Sequence, residues 1–222
     1  MIPMTLRFVI ATMAIMAAGA LAGPPALAED DFDAGLNAVR DAWAIANYRT
    51  AENQRQAAFE KLVGQAAALT SRYPRRPEAL IWEGIVLSTY AGVRGGLGAL
   101  GSAKDAKAKL EAALAIDGKA LDGSAHTSLG TLYHKVPGFP IGFGSDKKAR
   151  SHLEQALAIN PDGIDPNYFF GEFLCDEDDP RGGLQHLDKA LKAAPRPGRE
   201  VADEGRRGEI RALITRCRAE LD

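Results

Sequence analysis

Apolar residues recur at helical spacing from Asp31 almost to the end of the chain. Leu36, Val39, Trp43 and Ala46 mark one face of a helix predicted over 33–48, and a second run extends from Ala51 to Tyr73 before Pro74 and Pro77 interrupt it. The stretch from Leu129 to Pro161 organises the rest. It reads Leu129-Gly130, then Tyr133, a long loop, and Ala149, Leu153, Ala156 with a closing Pro161. Small residues stand where two antiparallel helices must approach, and large ones where neighbouring helical pairs leave space to fill.

This pattern resembles the tetratricopeptide repeat, in which each unit is one helical hairpin. Phe170-Gly171, Gly183, Leu187, Ala190 and Pro195 repeat it, with the closing proline 34 residues after Pro161. Gly84, Ala106, Leu110 and Ala113 repeat it upstream. The step between the two small residues is 12 from Gly171 to Gly183, 19 from Gly130 to Ala149 and 22 from Gly84 to Ala106. The two central units therefore carry insertions, expected as loops over Val93–Ser102 and His134–Ser145. Asp165-Pro166, Asp179-Pro180, Ser145 and the pair Ser102/Asp105 read as helix N-caps. The expected fold is all-α: a short α-solenoid of degenerate tetratricopeptide-like hairpins with a C-terminal capping helix. Units fall near 51–74, 77–118, 121–161 and 165–195, with the cap over 199–221. Loops within hairpins emerge on one edge of such a stack, so both insertions should lie side by side.

The N-terminus has a different character. Met1 to Arg7 carries one positive charge, Phe8 to Ala22 is apolar, and Ala26-Leu27-Ala28 is a small-x-small cleavage site before an acidic start. Residues 1–28 read as a secretory signal peptide and 29–222 as a single helical-repeat domain, which places the mature protein in the periplasm. No Cys follows the apolar run, which argues against a lipoprotein route.

The 222 residues are 46% hydrophobic and 25% charged, an ordinary soluble composition. A net charge of −2 with no basic stripe argues against a nucleic-acid partner. No motif pairs a nucleophile with a base and no phosphate-binding loop is present, so neither an enzyme nor a cofactor is expected. His152 and His186 share a repeat position expected to face solvent. His126 could face the groove, and neither it nor His134 has a second ligand at metal spacing. Asp176 to Asp179 reads as a solvated turn. Trp43, Trp82 and Tyr90 read as core residues. Cys175 and Cys217 either pair or stay as two buried thiols. Strict repeat register sets them about 12 Å apart along the helix direction, beyond disulfide reach unless the chain bends.

Val136, Phe139, Ile141 and Phe143 alternate with Pro and Gly in a loop that cannot be helical. Such a loop either lids the groove or forms a contact surface. Arg94, in the neighbouring insertion, is a cation for an anionic ligand, and Tyr133, His134, Asn167 and Tyr168 are the nearest polar residues in register.

The run Leu132-Tyr133-His134-Lys135-Val136-Pro137-Gly138-Phe139-Pro140-Ile141-Gly142-Phe143-Gly144, followed by Lys147-Lys148-Ala149 and by Asn160 to Phe169, resembles the T component of tripartite ATP-independent periplasmic (TRAP) transporters. That resemblance, over about Pro74 to Pro195, implies tetratricopeptide-like repeats around a groove or pore. It also implies the transporter's periplasmic solute-binding protein as partner. The expected function is thus a non-enzymatic periplasmic protein that binds such a partner, a small apolar or anionic ligand, or both. Homo-oligomerisation is left open. The alternative is a scaffold for cell-envelope assembly or polymer export, with another envelope protein as partner.

Overall fold

The structure, a computed structural model, describes residues 27–221; apart from Leu27 and Ala28, the expected signal peptide lies outside the described residues. Among those residues the regular structure is nine helices: α1 Leu27–Tyr48, α2 Glu52–Arg72, α3 Pro77–Arg94, α4 Gly96–Ile116, α5 Ala120–Lys135, α6 Asp146–Ile159, α7 Ile164–Asp176, α8 Pro180–Lys192 and α9 Glu200–Ala219. None of them is long and apolar enough to cross a membrane.

Three hairpins, α3/α4, α5/α6 and α7/α8, share one lock. A Cβ on Gly130 would meet Leu153 Cγ at 2.6 Å, one on Gly84 would meet Leu110 Cγ at 2.6 Å, and one on Gly171 would meet Leu187 Cγ at 2.9 Å. Each leucine lies against the bare backbone of the facing helix and is fully or almost fully buried. Burial of a leucine contributes roughly 1.5–3 kcal/mol; Leu153, expected to fill space between neighbouring pairs, packs instead within its own hairpin against Gly130.

The odd-numbered helices form an inner layer: α1 packs on α3, α3 on α5, α5 on α7 and α7 on α9. The even-numbered helices α2, α4 and α6 touch only their chain neighbours. The inner layer also closes, because α9 packs back on α1. The architecture is the expected all-α solenoid, bent into a five-helix ring.

Three local expectations are corrected. Val93–Ser102 is not a loop: α3 runs to Arg94, Gly95 turns the chain at φ 62°, and α4 begins at Gly96. The extra residues lengthen both helices because Ala99 and Ala103 find an apolar neighbourhood to pack against. Ser102 consequently lies inside α4 and caps nothing. Asp165 is not an N-cap either; α7 starts from Gly163, and the Asp165 carboxylate binds two arginines instead. Asp179 and Ser145 do cap, accepting from Gly182 N at 2.9 Å and Lys148 N at 3.4 Å.

Cys175 and Cys217 form a disulfide with Cα atoms 5.8 Å apart. Strict repeat register failed here because the linker before α9 (residues 193–199) is longer than that before α7 (160–163). The longer linker lets α9 slide along α7, so that Asp165 faces Arg206 and Asp176 faces Arg216.

Candidate functional site

The ring encloses a cavity of about 550 Å³. Its wall comes from the inner helices, with Trp43 from α1, Trp82 from α3, Thr127 and Thr131 from α5, and Phe169 from α7. The linkers entering α7 and α9 complete it. Those linkers lie on the edge opposite the within-hairpin loops, which fixes where the cavity stands relative to the insertion. At its rim Leu121, Asp122 and Gly123 form a left-handed turn with φ of 48°, 54° and 75°. Left-handed backbone at Leu and Asp is strained, and both residues line the cavity.

The floor is a charge network that fixes α9 in place. Asp165 accepts from Arg196 at 2.6 Å and from Arg206 at 2.8 Å, while Asp203 takes the other side of Arg196 at 2.8 Å. Burial alone would raise the Asp165 carboxyl, but Arg206 and Arg196 hold it well below the usual carboxylate range. Arg206 is covered by the Tyr168 and Phe169 rings at 4.4 and 4.6 Å. Burial disfavours its charged form, yet Asp165 and its other neighbours raise its pKa.

The residues expected to form a site do not come together at this cavity. Arg94 is exposed at the end of α3, folded over Gly98 with its guanidinium 5.9 Å from the Tyr90 ring. Tyr133 is buried, stacked on His152 at 5.6 Å and edge-on to Phe143 at 5.7 Å. Asn167 is fully buried; its amide donates to the carbonyls of Pro161 and Gly163, and its oxygen faces His186 Nδ1 at 3.0 Å. It thereby fixes the linker that walls the cavity. Tyr168 is buried beneath Arg206, and burial raises its phenol pKa.

The His134–Ser145 insertion lies on the opposite edge and contributes nothing to the cavity wall. Its backbone is tied together: Gly144 N donates to Pro137 O, Ile141 N to Gly138 O, and Ser145 N to Tyr133 O, all within 3.1 Å. Phe143 packs inward on the core. Phe139 and Ile141 point outward, 93% and 70% exposed, the two most exposed large apolar side chains among the described residues. Leu100 of α4 lies beside Gly142, so the two inserted segments are adjacent as expected.

His134 sits at the root of this loop. Its Nε2 bonds to Asp176 Oδ2 at 2.8 Å, and its Nδ1, shielded from solvent with no hydrogen-bond partner, faces Asp146 at 3.6 Å. Glu177 completes a group whose ligand atoms lie within 4.8 Å of one another, an arrangement that could hold a divalent cation. Spacing along the chain hid it, because the three residues come from α5, α6 and the α7–α8 turn. Asp176 likewise does more than solvate a turn: it takes Lys135, His134 and Arg216. Burial would raise its pKa, but the hydrogen bonds from Lys135 and His134 bring it down to about 2.

His152 and His186 are half-buried rather than solvent-facing. His152 Nδ1 lies 3.0 Å from His126 Nδ1, so His126 faces its own hairpin partner and not the groove. Sequence reasoning passed over the cavity residues Arg40, Arg199 and the α5 hydroxyls. One signal for the hydroxyls was available: Ser124, Thr127, Ser128 and Thr131 repeat at helical spacing on one face of α5.

No family model and no curated sequence matches the chain. Among solved structures it is similar to TTC0263, a thermophilic TPR protein of Thermus thermophilus. The two are 18% identical, 88% of this chain and 93% of that chain are covered, and the TM-score is 0.53. That likeness shows the fold: this chain is a tetratricopeptide-like helical-repeat protein.

Proposed function

We propose that this is a non-enzymatic periplasmic repeat protein that docks a protein partner through the tip of the His134–Ser145 insertion. The observation that carries the reading is the exposure of Phe139 and Ile141 on a loop whose backbone is hydrogen-bonded into a fixed shape. An apolar pair held out by a rigid base is costly to leave in water and gains by burial against another protein. The partner we assign is the solute-binding protein of a TRAP-type transporter, on the strength of the resemblance carried by that same insertion. Periplasmic placement rests on the expected signal peptide at 1–28.

The test is a pull-down of the mature protein from periplasmic extract, wild type beside a version with 139–143 replaced by Gly and Ser. Recovery of a solute-binding protein by wild type alone is the expected result. Recovery of envelope-assembly proteins by both versions would instead move binding to the repeat surface and favour a scaffold.

A further inference from the structure

The cavity holds a cation that forms no ion pair with the described residues. Arg199 precedes α9 and lines the cavity, with its guanidinium 5.4 Å from the Trp82 ring centroid. Its Nε is shielded from solvent and has no hydrogen-bond partner, and Arg199 makes no ion pair with the described residues. The acids nearest to it are engaged elsewhere, Asp165 by Arg196 and Arg206 and Asp203 by Arg196. A second guanidinium, Arg40, lines the same cavity and, among the described residues, pairs only with its chain neighbour Asp41. Burial first, then the charge of Arg196 and more weakly that of Arg40, pushes Arg199 down to about 10 against the opposing pull of Asp165 and Asp203. A half-buried cation beside other cations gains by pairing with an anion from outside.

The surroundings set the class of that anion. Trp43 and Trp82 stand edge-to-face at 6.0 Å beside the arginines, and Leu121 and Phe169 add further apolar wall. An inorganic ion would leave these faces unused. The volume of about 550 Å³ falls within the ~300–1,000 Å³ of small-molecule sites. We infer that the cavity binds a small organic carboxylate, its charged group on Arg199 and Arg40 and its apolar body against Trp43 and Trp82. Arginine suits this task because its planar fork donates two parallel hydrogen bonds to a carboxylate. The site stands on the opposite edge from Phe139 and does not depend on the docking reading.

Both tryptophans of the chain line the cavity, so intrinsic fluorescence reports on it directly. The mature protein is titrated with phenylacetate and octanoate, and in parallel with phenylacetamide and octanamide. At least one acid is expected to saturate the signal in the millimolar range or below, with its amide at least about tenfold weaker. Arg199→Gln should weaken the acid by about the same factor while unfolding at the same or a higher temperature, since it removes an uncompensated charge. Amides binding as well as the acids, no response to either acid, unchanged acid binding in Arg199→Gln, or a large loss of stability in that variant would each overturn the inference.

Discussion

Tyr48 donates its phenolic hydrogen to Glu209 Oε2 across 3.2 Å, and that bond joins the first described helix to the last. The same ring covers Gly205, where a Cβ would overlap it, and the adjacent residues Arg49 and Glu204 form an ion pair. Burial, reinforced by Glu209, pushes the Tyr48 hydroxyl up to about 12, so it stays a donor throughout the physiological range. A solenoid that would otherwise end open thus becomes a ring.

Opening that ring should be measurable. Gly205→Leu inserts a side chain where the Tyr48 ring lies and should destabilise by about 1–3 kcal/mol. Tyr48→Phe, which removes only the hydroxyl, should cost about 1 kcal/mol. Urea unfolding of the two variants checks both values, and equal losses would contradict the assignment of packing to Gly205.

The hairpin lock predicts a second result. Gly130→Ala places a methyl 2.6 Å from Leu153 Cγ and 3.1 Å from the Ala149 carbonyl oxygen, so the hairpin must spread. A loss of about 1–3 kcal/mol is expected. The same change at Gly64, whose Cβ would meet nothing within 4 Å, should be neutral or slightly stabilising. Thermal unfolding of the pair distinguishes contact from propensity.

These packing rules were the part of the fold legible in the sequence. Gly84, Gly130 and Gly171, with their leucine partners, carry the repeat because close helix approach demands the same residue types each time. The path of α9 was not legible, since Asp165, Asp203 and Arg206 meet only after the linker 193–199 lets that helix slide. The cavity was hidden for the same reason. Its residues are scattered over five inner helices and two linkers that are distant in the chain, whereas the apolar insertion announces itself in one continuous run. Of the expected site residues, Phe139 and Ile141 are presented to solvent, while Tyr133, Asn167 and Tyr168 serve packing.

Asp165→Asn tests the charge network. It leaves Arg206, already nearly buried, with only Glu209 as an acid partner, and Arg196 with only Asp203. Breaking such a pair should cost about 3 kcal/mol at neutral pH. Because the Asp165 pKa is depressed in the fold, its contribution is present above the unfolded carboxyl range and declines only as pH falls below it. The wild-type and variant stability curves should therefore converge in strong acid.

The histidines give a pH effect of the opposite origin. Burial lowers the pKa of both His126 and His152, and for His152 the His126 charge and Lys148 act in the same direction while Glu111 opposes them. With Nδ1 atoms 3.0 Å apart, one ring donates and the other must accept. The unfolded chain takes up protons near pH 6.5 while the folded pair resists. Stability from this pair is thus complete above about pH 6.5 and is lost as pH falls below it. Unfolding midpoints from pH 7.5 down to 5.5 should show the decline, and His152→Gln should flatten it.

The disulfide closes the α7-to-α9 segment. Cys175 and Cys217 are 42 residues apart, and loop closure of that length stabilises by about 4 kcal/mol in the chain-entropy view. Reduction should lower the unfolding temperature and loosen the floor of the cavity. Carboxylate binding at the cavity, followed by tryptophan fluorescence, should weaken with it.

Docking through Phe139 is tested most directly by photo-crosslinking in intact cells. A photoreactive phenylalanine analogue is placed at position 139 and, as a control, at Glu60, an exposed position on α2. The account predicts one discrete adduct from position 139, containing a periplasmic solute-binding protein, and none from position 60. The same adduct from both positions, or none from position 139, would contradict it.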